Sequence, residues 1–399
     1  MAATTGYAAG VEANNTEISY GTEATWATAP AATFQAIRYT SETLGPNKQR
    51  DRPSEISTSR EAAGAVTVRA QAGGSIAFAM SYGTYDDMFS VAVGADWQAA
   101  QAINGVSGDL TITNLSATTA TISSTTSNKF LAISVNQWLR TLGWTNAANN
   151  DIWRITAKAS EQSMTATKAT VGAPVTETPS GTAAKIRARM LRNGALFKSL
   201  YFQQKLSSSL WLRYPGSFFP RVTLSGGVGQ FLNGSFELLS QQEVKGTSDA
   251  STGGVLAAPT GRVHDPVPGF AGAFIDAAPI GSVLDSFSIT IENQGAALAF
   301  GMGAEAAQGA LPGTLVASGQ FRIYFRDFTL YDRFVALTTG AFSVVTKDAA
   351  GNAYVITLPG SVLINPAIEA GGSGQPVMAT FQVEGSPGPF IQIDQLVAT

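Results

Sequence analysis

Two stretches of the sequence, YPGSFFPRVTLSGGVGQFLNGSF and LPGSVLINPAIEAGGSGQPVMATF, contain the same features in the same order. Pro215 precedes Pro359 by 144 residues, whereas the glycines that follow are 145 apart, so one inserted residue separates the two registers. The paired glycines are Gly226, Gly227 and Gly229 in the first stretch and Gly371, Gly372 and Gly374 in the second. Long-range self-similarity of this kind indicates a duplicated domain. The alternative is chance similarity between segments rich in Gly, Ala and Ser.

A second pair of matching segments, GSIAFAMSYGTYDDMF and GQFRIYFRDFTLYDRF, lies upstream at a constant spacing of 245 residues. Asp87 lies 128 residues before Pro215, whereas the matching Asp332 lies 27 residues before Pro359. The difference of 101 residues indicates that the first copy contains an insertion. Because the second copy lacks it, we expect the insertion to be dispensable for the basic fold.

Alternating β-branched and aromatic residues dominate both copies, and clusters of Gly and Pro separate the predicted strands. We predict a mainly β protein with two tandem domains, each a β-sandwich or open barrel with one short helix. The insertion is predicted to be a small independent β-domain. The expected bounds are 1–97 plus 188–245 for copy one, 98–187 for the insertion, 246–283 for a linker and 284–399 for copy two.

One helix is predicted after the aligned strand in each copy. In copy one, Thr84 is the expected N-cap and Asp87 the third helical residue, so that their side chains would bond free backbone N–H groups. An acidic residue there also suits the positive end of the helix dipole. Thr329 and Asp332 repeat the pattern in copy two.

The chain is poor in charge: 13% of its residues are charged, against a usual quarter, while an ordinary 44% are apolar. A surface of this kind is either covered by small polar residues or buried against other subunits, and the second option fits an obligate assembly. The net charge of −3 argues against nucleic-acid binding through the bulk field. The absence of cysteine removes disulfides and Cys-ligated metals. No segment reads as a transmembrane helix or signal peptide, so we expect cytoplasmic synthesis.

No catalytic, cofactor or metal site is predicted. The single histidine, His264, lies next to Asp265 and Pro266, which indicate a turn rather than a catalytic triad. Asp86 and Asp87 project about 100° apart on a helix and cannot share a substrate. The repeated Gly-Gly-x-Gly-Gln does not complete a phosphate-binding motif. We explain it by a turn that requires positive φ in both copies.

One long loop of copy one carries a concentration of charge, whereas Glu305 is the only charged residue in the matching loop of copy two. Loops of this length are usually functional or disordered. We consider two interpretations, a solvated loop and a contact arm that reaches a neighbouring subunit or ring. The charged residues of the copy-one loop are Lys48, Arg50, Asp51, Arg52, Glu55, Arg60 and Glu61.

The segments ISYGTEATWATAP, FQAIRYTSETL and GGSIAFAMSYGTYDDMF resemble the N-terminal signature of tail tube proteins from long-tailed, non-contractile bacteriophages. FLAISVNQWLRTLGWTNAANNDIWRITA resembles the small β-domain inserted in many of them. LVASGQFRIYFRDFTLYDRFV and DAAGNAYVITLPG resemble their C-terminal half. The resemblance covers nearly the whole chain and weakens between residues 245 and 280.

The resemblance implies a structural virion protein, not an enzyme, that assembles into stacked rings around a tape-measure protein. Tail terminator and distal tail proteins are further implied partners, with no cofactor and no membrane. Six tube domains commonly surround the channel, so two domains per chain imply a trimeric ring with pseudo-sixfold symmetry; a ring of six chains is the alternative. The ring-stacking loop would map onto residues 43–64 and 293–313. DNA would slide past a neutral or acidic wall without sequence-specific contacts.

A competing interpretation is a duplicated β-sandwich that binds glycans or decorates a capsid. Such a protein would present an exposed aromatic platform. Trp138, Trp144 and Trp153 in the insertion are the candidates, and we favour packing for all three.

Overall fold

A computed structural model describes residues 10–54, 56, 58, 61–170, 172–385 and 388–399. Half of the chain forms strands and 5% is helical, which confirms the predicted mainly β fold class. Neither α-helix within these ranges is long and apolar enough to cross a membrane.

Copy one begins with β1 (Glu17–Thr22), β2 (Phe34–Ala36), β3 (Ser41–Glu42), β4 (Gly45–Asp51), β5 (Val66–Ala79) and α1 (Asp86–Val93). The insertion contributes β6 (Gln101–Asn104), β7 (Leu110–Asn114), β8 (Thr119–Ser124), β9 (Trp138–Leu142), β10 (Ile152–Ser160), β11 (Ser163–Lys168) and β12 (Lys185–Ala188). Copy one resumes with β13 (Met190–Arg192), β14 (Leu200–Ser207), β15 (Leu210–Gly227), β16 (Asn233–Ser240), β17 (Val244–Gly246) and β18 (Val255–Leu256). Copy two contains β19 (Phe270–Ile275), β20 (Ala278–Pro279), β21 (Leu284–Gln294), β22 (Ala297–Ala299), β23 (Gly309–Leu311), β24 (Thr314–Tyr324), α2 (Thr329–Val335), β25 (Gly340–Lys347), β26 (Ala353–Ala370), β27 (Val377–Gly385) and β28 (Gln392–Leu396).

The strand pairings of copy one recur in copy two. The β4–β5 hairpin matches β21–β24, and the series β1–β14–β15–β16 matches β19–β25–β26–β27, all antiparallel. The register also recurs, since Leu200 lies opposite Ser217 and Gly340 opposite Ser361. The 144-residue offset read from the sequence is therefore a structural offset.

Both copies bury the alternate residues of these strands in one core. Phe236 of β16 stacks on Phe78 with ring centroids 4.7 Å apart, and Phe381, at the matching position of β27, stacks on Phe321 at 5.5 Å. All four rings are buried. Period-two alternation thus places one face of each strand in the core and leaves the other polar.

The insertion forms a separate seven-stranded sheet with its own apolar core. Although it leaves copy one, it packs on copy two: Trp138 is fully buried beside Phe274, with ring centroids 5.6 Å apart. Val355 and Leu396 of copy two belong to the same buried cluster. Arg140 of the insertion also donates to the backbone carbonyl of Gly351. The insertion therefore connects the two copies rather than extending copy one alone.

The segment interpreted from sequence as a linker, 246–283, contributes β18, β19 and β20. Strand β19 pairs with β25 as β1 pairs with β14. Strand β18 pairs in parallel with β2 of copy one. Part of this segment therefore belongs to the folded domains on either side.

The predicted capping of α1 is wrong. The helix begins at Asp86 with Tyr85 as N-cap, and the Tyr85 side chain makes no capping hydrogen bond. The hydroxyl of Thr84 lies 2.7 Å from that of Ser81, in the interior. The carboxylate of Asp87 accepts a hydrogen bond from the Tyr20 hydroxyl at 2.9 Å. Thr84 thus makes a local bond before the helix and Asp87 a tertiary one, and neither caps the helix end.

Helix α2 likewise starts differently from the prediction. Thr329 is its first residue, and Phe328, at the N-cap, makes no side-chain cap bond. The carboxylate of Asp327 accepts the N–H of Thr329 at 3.0 Å, while Asp332 lies in the first turn. The acidic side chain that bonds the start of α2 is therefore Asp327, which precedes the helix.

Candidate functional site

The two copies share one continuous sheet, because β15 pairs antiparallel with β21 over seven residue pairs, from Arg221 opposite Glu292 to Gly227 opposite Ser286. Arg221 Nη2 lies 2.8 Å from Glu292 Oε1, and its Nη1 lies 3.6 Å from Glu237 Oε1. We call the contact of β15 and α1 with β21, β26 and β28 the within-chain seam.

A buried polar cluster joins α1 to copy two at this seam. The Asp86 carboxylate accepts hydrogen bonds from the Tyr354 hydroxyl and, at 2.7 Å, from Gln395 Nε2. The Tyr354 hydroxyl accepts the N–H of Gly83 at 2.9 Å. Burial raises the pKa of Asp86, while hydrogen bonds from Tyr354 and Gln395 and the charge of Arg189 oppose the rise. Sequence reasoning placed Asp86 only at a helix start, because its partners lie 268 and 309 residues away.

The C-terminal end of α1 is closed by Asn293 of β21. Its Nδ2 donates to the carbonyls of Ala92 at 3.0 Å and Phe219 at 2.9 Å. Carbonyls in the last turn of a helix lack intrahelical partners. Copy two therefore satisfies part of the helix end of copy one.

No residue of the ranges that the structure describes covers helix α2 in the same way. None of its residues is buried, whereas six of the eight residues of α1 are. Phe328 is 60% exposed, and Val335 and Leu337 are similarly open. An apolar surface of this kind, rimmed by polar residues, is typical of an interaction site.

Two free sheet edges lie at opposite ends of the shared sheet. Among the described residues, β4 pairs only with β5, and residues 46–51 are exposed. The last part of β26 pairs only with β27 within the same ranges, and residues 367–370 are exposed. Strand β4 of copy one matches β21 of copy two, and the last part of β26 matches β15. The two free edges therefore match the two strands that pair with each other at the within-chain seam. Unpaired edges are templates for pairing with another chain.

The charged loop of copy one follows the free edge. Lys48, Arg50 and Asp51 lie on β4 and are exposed, and Arg52 follows the strand. Arg50 Nη2 donates to the carbonyl of Ala65 at 2.8 Å across the hairpin. Glu61 is exposed, and Glu55 and Arg60 lie outside the described residues. The four charged residues on β4 and directly after it thus form one exposed strip: Lys48, Arg50, Asp51 and Arg52.

The matching loop of copy two lies against copy one. Arg69 stacks over the ring of Phe300 at 5.1 Å, and the N–H of Ala70 donates to the Glu305 carbonyl at 2.8 Å. Gln241 Nε2 donates to the carbonyl of Ala307 at 3.0 Å. Its low charge suits a loop that contacts its own chain.

The repeated glycine motif forms the same turn twice. The N–H of Gln230 donates to the Gly227 carbonyl at 3.1 Å, and that of Gln375 to the Gly372 carbonyl at 3.0 Å. The third residue of each turn has positive φ, 74° at Gly229 and 80° at Gly374. The paired Gly226 and Gly371 have no positive φ. Gly226 instead allows close packing of the Phe287 ring, which a Cβ would meet at 2.8 Å.

His264 lines a small cavity of about 70 Å³ between the copies. The side chain is 1% exposed, and within the described part of the chain neither ring nitrogen has a hydrogen-bond partner. Burial lowers its pKa to about 4, against the opposing charges of Asp348 and Asp265. The described residues contain no group of three or more His, Cys, Asp or Glu that could hold a metal ion.

The three tryptophans of the insertion are buried. Trp138 and Trp153 are fully inaccessible and Trp144 is nearly so. Trp153 Nε1 donates to the Thr141 hydroxyl at 2.8 Å. The exposed aromatic platform required for glycan binding is therefore not formed by these residues.

The open face of the shared sheet is polar. Buried residues such as Val222 and Ile289 alternate with outward residues such as Thr223 and Ser288. Its charged side chains include Arg221 between Glu237 and Glu292, together with Arg322 and Glu384. Acids and bases nearly balance on this surface.

A family model described as "Phage tail tube protein" matches residues 13–385. The match spans both copies and the insertion. None of the curated proteins matches the sequence.

Proposed function

Because the chain belongs to the phage tail tube protein family, we propose that it self-assembles into stacked rings that form the channel for DNA delivery. As a member of this family it is a structural component of a phage tail. The observation that supports ring assembly is the pair of free edges, which repeat the two sides of the within-chain seam. Because the two free edges differ, one edge of a chain would pair with the other edge of the next chain, which is a heterologous contact. Repeated contacts of this kind form a ring if the rotation from one chain to the next closes on itself.

Three chains per ring are proposed, so that six tube domains surround the channel with pseudo-sixfold symmetry. Each ring then contains three within-chain seams and three equivalent seams between chains. The tape-measure protein occupies the lumen before DNA, and tail terminator and distal tail proteins contact the two ends of the tube. Synthesis in the host cytoplasm precedes assembly into the virion.

The open polar face of the shared sheet suits the wall of the channel. Arg221 is neutralised by two carboxylates, which leaves few free cations to hold phosphates. DNA retention through phosphate contacts rises with the number of cations engaged. We infer that DNA passes without sequence-specific binding.

The copy-one charged loop is proposed to contact the neighbouring ring. Replacement of Arg50, Arg52 and Arg60 with Ala is expected to leave folded subunits that stack poorly. Tubes of normal length from this variant would remove the loop from the stacking contact.

Negative-stain electron microscopy of the concentrated protein, with mass determination of the soluble species, tests the proposal. Hollow tubes, or trimers that convert to them, are the expected result. A monomer that forms no tube at any salt concentration would overturn ring assembly.

A further inference from the structure

The surface around α1 of copy one is covered at the within-chain seam. The matching surface of copy two, around α2, is left exposed. The repeat offsets of 245 and 144 residues relate the two surfaces position by position. Tyr354, which reaches α1 in the within-chain seam, corresponds to Leu210 of copy one. Asn293, which closes the end of α1, corresponds to Lys48. Copy one therefore has, on its far side, the residues that would meet α2 of another chain.

Strand registers support both correspondences. Lys48 lies opposite Ala70 in the β4–β5 hairpin, as Asn293 lies opposite Leu315 in β21–β24. Leu210 and Tyr354 come directly before Trp211 and Val355, which lie opposite Lys205 and Val345, so the adjoining pairs keep offsets of 144 and 140 residues. The equivalence thus rests on hydrogen-bonded ladders as well as on sequence.

The side chains at the two seams differ in a coordinated way. On the helix side, Gly83 and Asp86 of copy one become Phe328 and Tyr331 of copy two. On the opposing side, Tyr354 becomes Leu210. Leu210 is 51% exposed, and Phe328 is the most open aromatic residue next to α2. The hydrogen-bonded pair of Asp86 and Tyr354 is therefore replaced by an aromatic and an aliphatic residue, as expected for two surfaces that contact each other.

We propose that a second copy of this chain covers α2, with its Leu210 against Phe328 and Tyr331 and its Lys48 at the end of the helix. The inference rests on the proposed ring assembly and identifies the contact between chains. The Lys48 ammonium donates to the carbonyl of Leu337, which matches the Ala92 carbonyl bonded by Asn293. A cation is favourable at the C-terminal end of a helix dipole.

The within-chain seam and the proposed contact between chains differ in their side chains, and this difference determines which copies can pair. If copy one of a second chain covered α1, its Leu210 would face Asp86 and leave that partly buried carboxylate without the Tyr354 hydroxyl. Burying an unpaired polar group is unfavourable, so this pairing is selected against. The alternation of copy one and copy two around a ring follows from the contacts.

Site-directed crosslinking tests the contact, because the chain contains no cysteine. Lys48→Cys and Leu337→Cys, combined in one chain and treated with a short bis-maleimide under assembly conditions, should give covalent multiples of the chain. Leu131→Cys with Leu337→Cys is the matched control, because Leu131 is an exposed residue of the insertion. The control pair should give no such ladder.

Leu210→Asp supplies a second, independent measurement. Because Leu210 is exposed in the subunit, the Tm of the isolated chain should not change. The concentration needed for assembly should rise about tenfold or more. Tubes that form normally from this variant, together with no crosslink at positions 48 and 337, would overturn the contact and leave ring assembly standing. Failure of the unmodified protein to assemble would overturn both.

Discussion

The helices of the two copies follow matching sequence but have opposite surroundings. Six of the eight residues of α1 are buried, because Asn293 and Tyr354 of copy two cover it and the segment around Lys198 packs on it. No residue of α2 is buried, since nothing in the described part of the chain occupies the equivalent position. The difference in burial between the two helices therefore follows the presence or absence of these neighbours.

The side chains of the two helices also differ, in keeping with their surroundings. Asp86 of α1 is compatible with burial because Tyr354 and Gln395 bond it. At the matching place Tyr331 belongs to a chain of aromatic contacts from Phe325 to Phe334. A duplicated domain can thus hold one surface inside the chain with polar bonds and keep the other for a partner.

The largest expected effect tests whether the insertion unites the copies. Trp138→Ala should lower the free energy of unfolding by about 3 to 5 kcal/mol, because it empties a fully buried site beside Phe274. Hydrogen exchange should accelerate in β25 and β28 of copy two. Trp144→Ala is the control, since that ring belongs to the core of the insertion alone. Equal acceleration in β25 and β28 by both variants would show that Trp138 has no special part in docking.

The next prediction compares the seams directly. Tyr354→Phe should cost about 2 to 3 kcal/mol, because Asp86, Gly83 and Gln395 all lose a buried partner. Tyr331→Phe at the uncovered helix should change the stability of the subunit by less than about 0.5 kcal/mol. Urea unfolding of the unassembled chain measures both. Similar costs would show that the two helices are not in different environments.

The fold could be predicted where the signals are local or periodic. Alternation and turn residues indicated the strands, which include the β25–β26 hairpin that turns between Asp348 and Asn352. The start of α1 was misplaced because Thr84 bonds the neighbouring Ser81 and Asp87 bonds the distant Tyr20, and neither bonds the helix end. The docking of the insertion could not be predicted, since Trp138 meets Phe274 only through tertiary packing.

A pH measurement probes the cavity between the copies. The pKa of His264 is lowered to about 4 in the folded state from an ordinary value of 6.5, so the unfolded chain binds the proton more readily. The stability associated with the neutral ring is complete above pH 6.5 and is lost as the pH falls towards 4. Between pH 7 and pH 5 the loss should be about 2 kcal/mol. His264→Leu should remove this part of the pH dependence, and an unchanged slope would show that the histidine is not titrating.

The smallest effect tests whether the repeated turn has the same role in both copies. Gly229→Ala and Gly374→Ala each force a Cβ into positive φ, and each should cost about 1 kcal/mol in the unassembled subunit. Val228→Ala, in the same turn but with ordinary φ and an exposed side chain, should cost almost nothing. Because open space surrounds both glycines, steric contacts do not enter the comparison. Equal costs would show that the turn was retained for its backbone geometry, whereas a cost at only one glycine would mean that the other turn can adopt a different conformation.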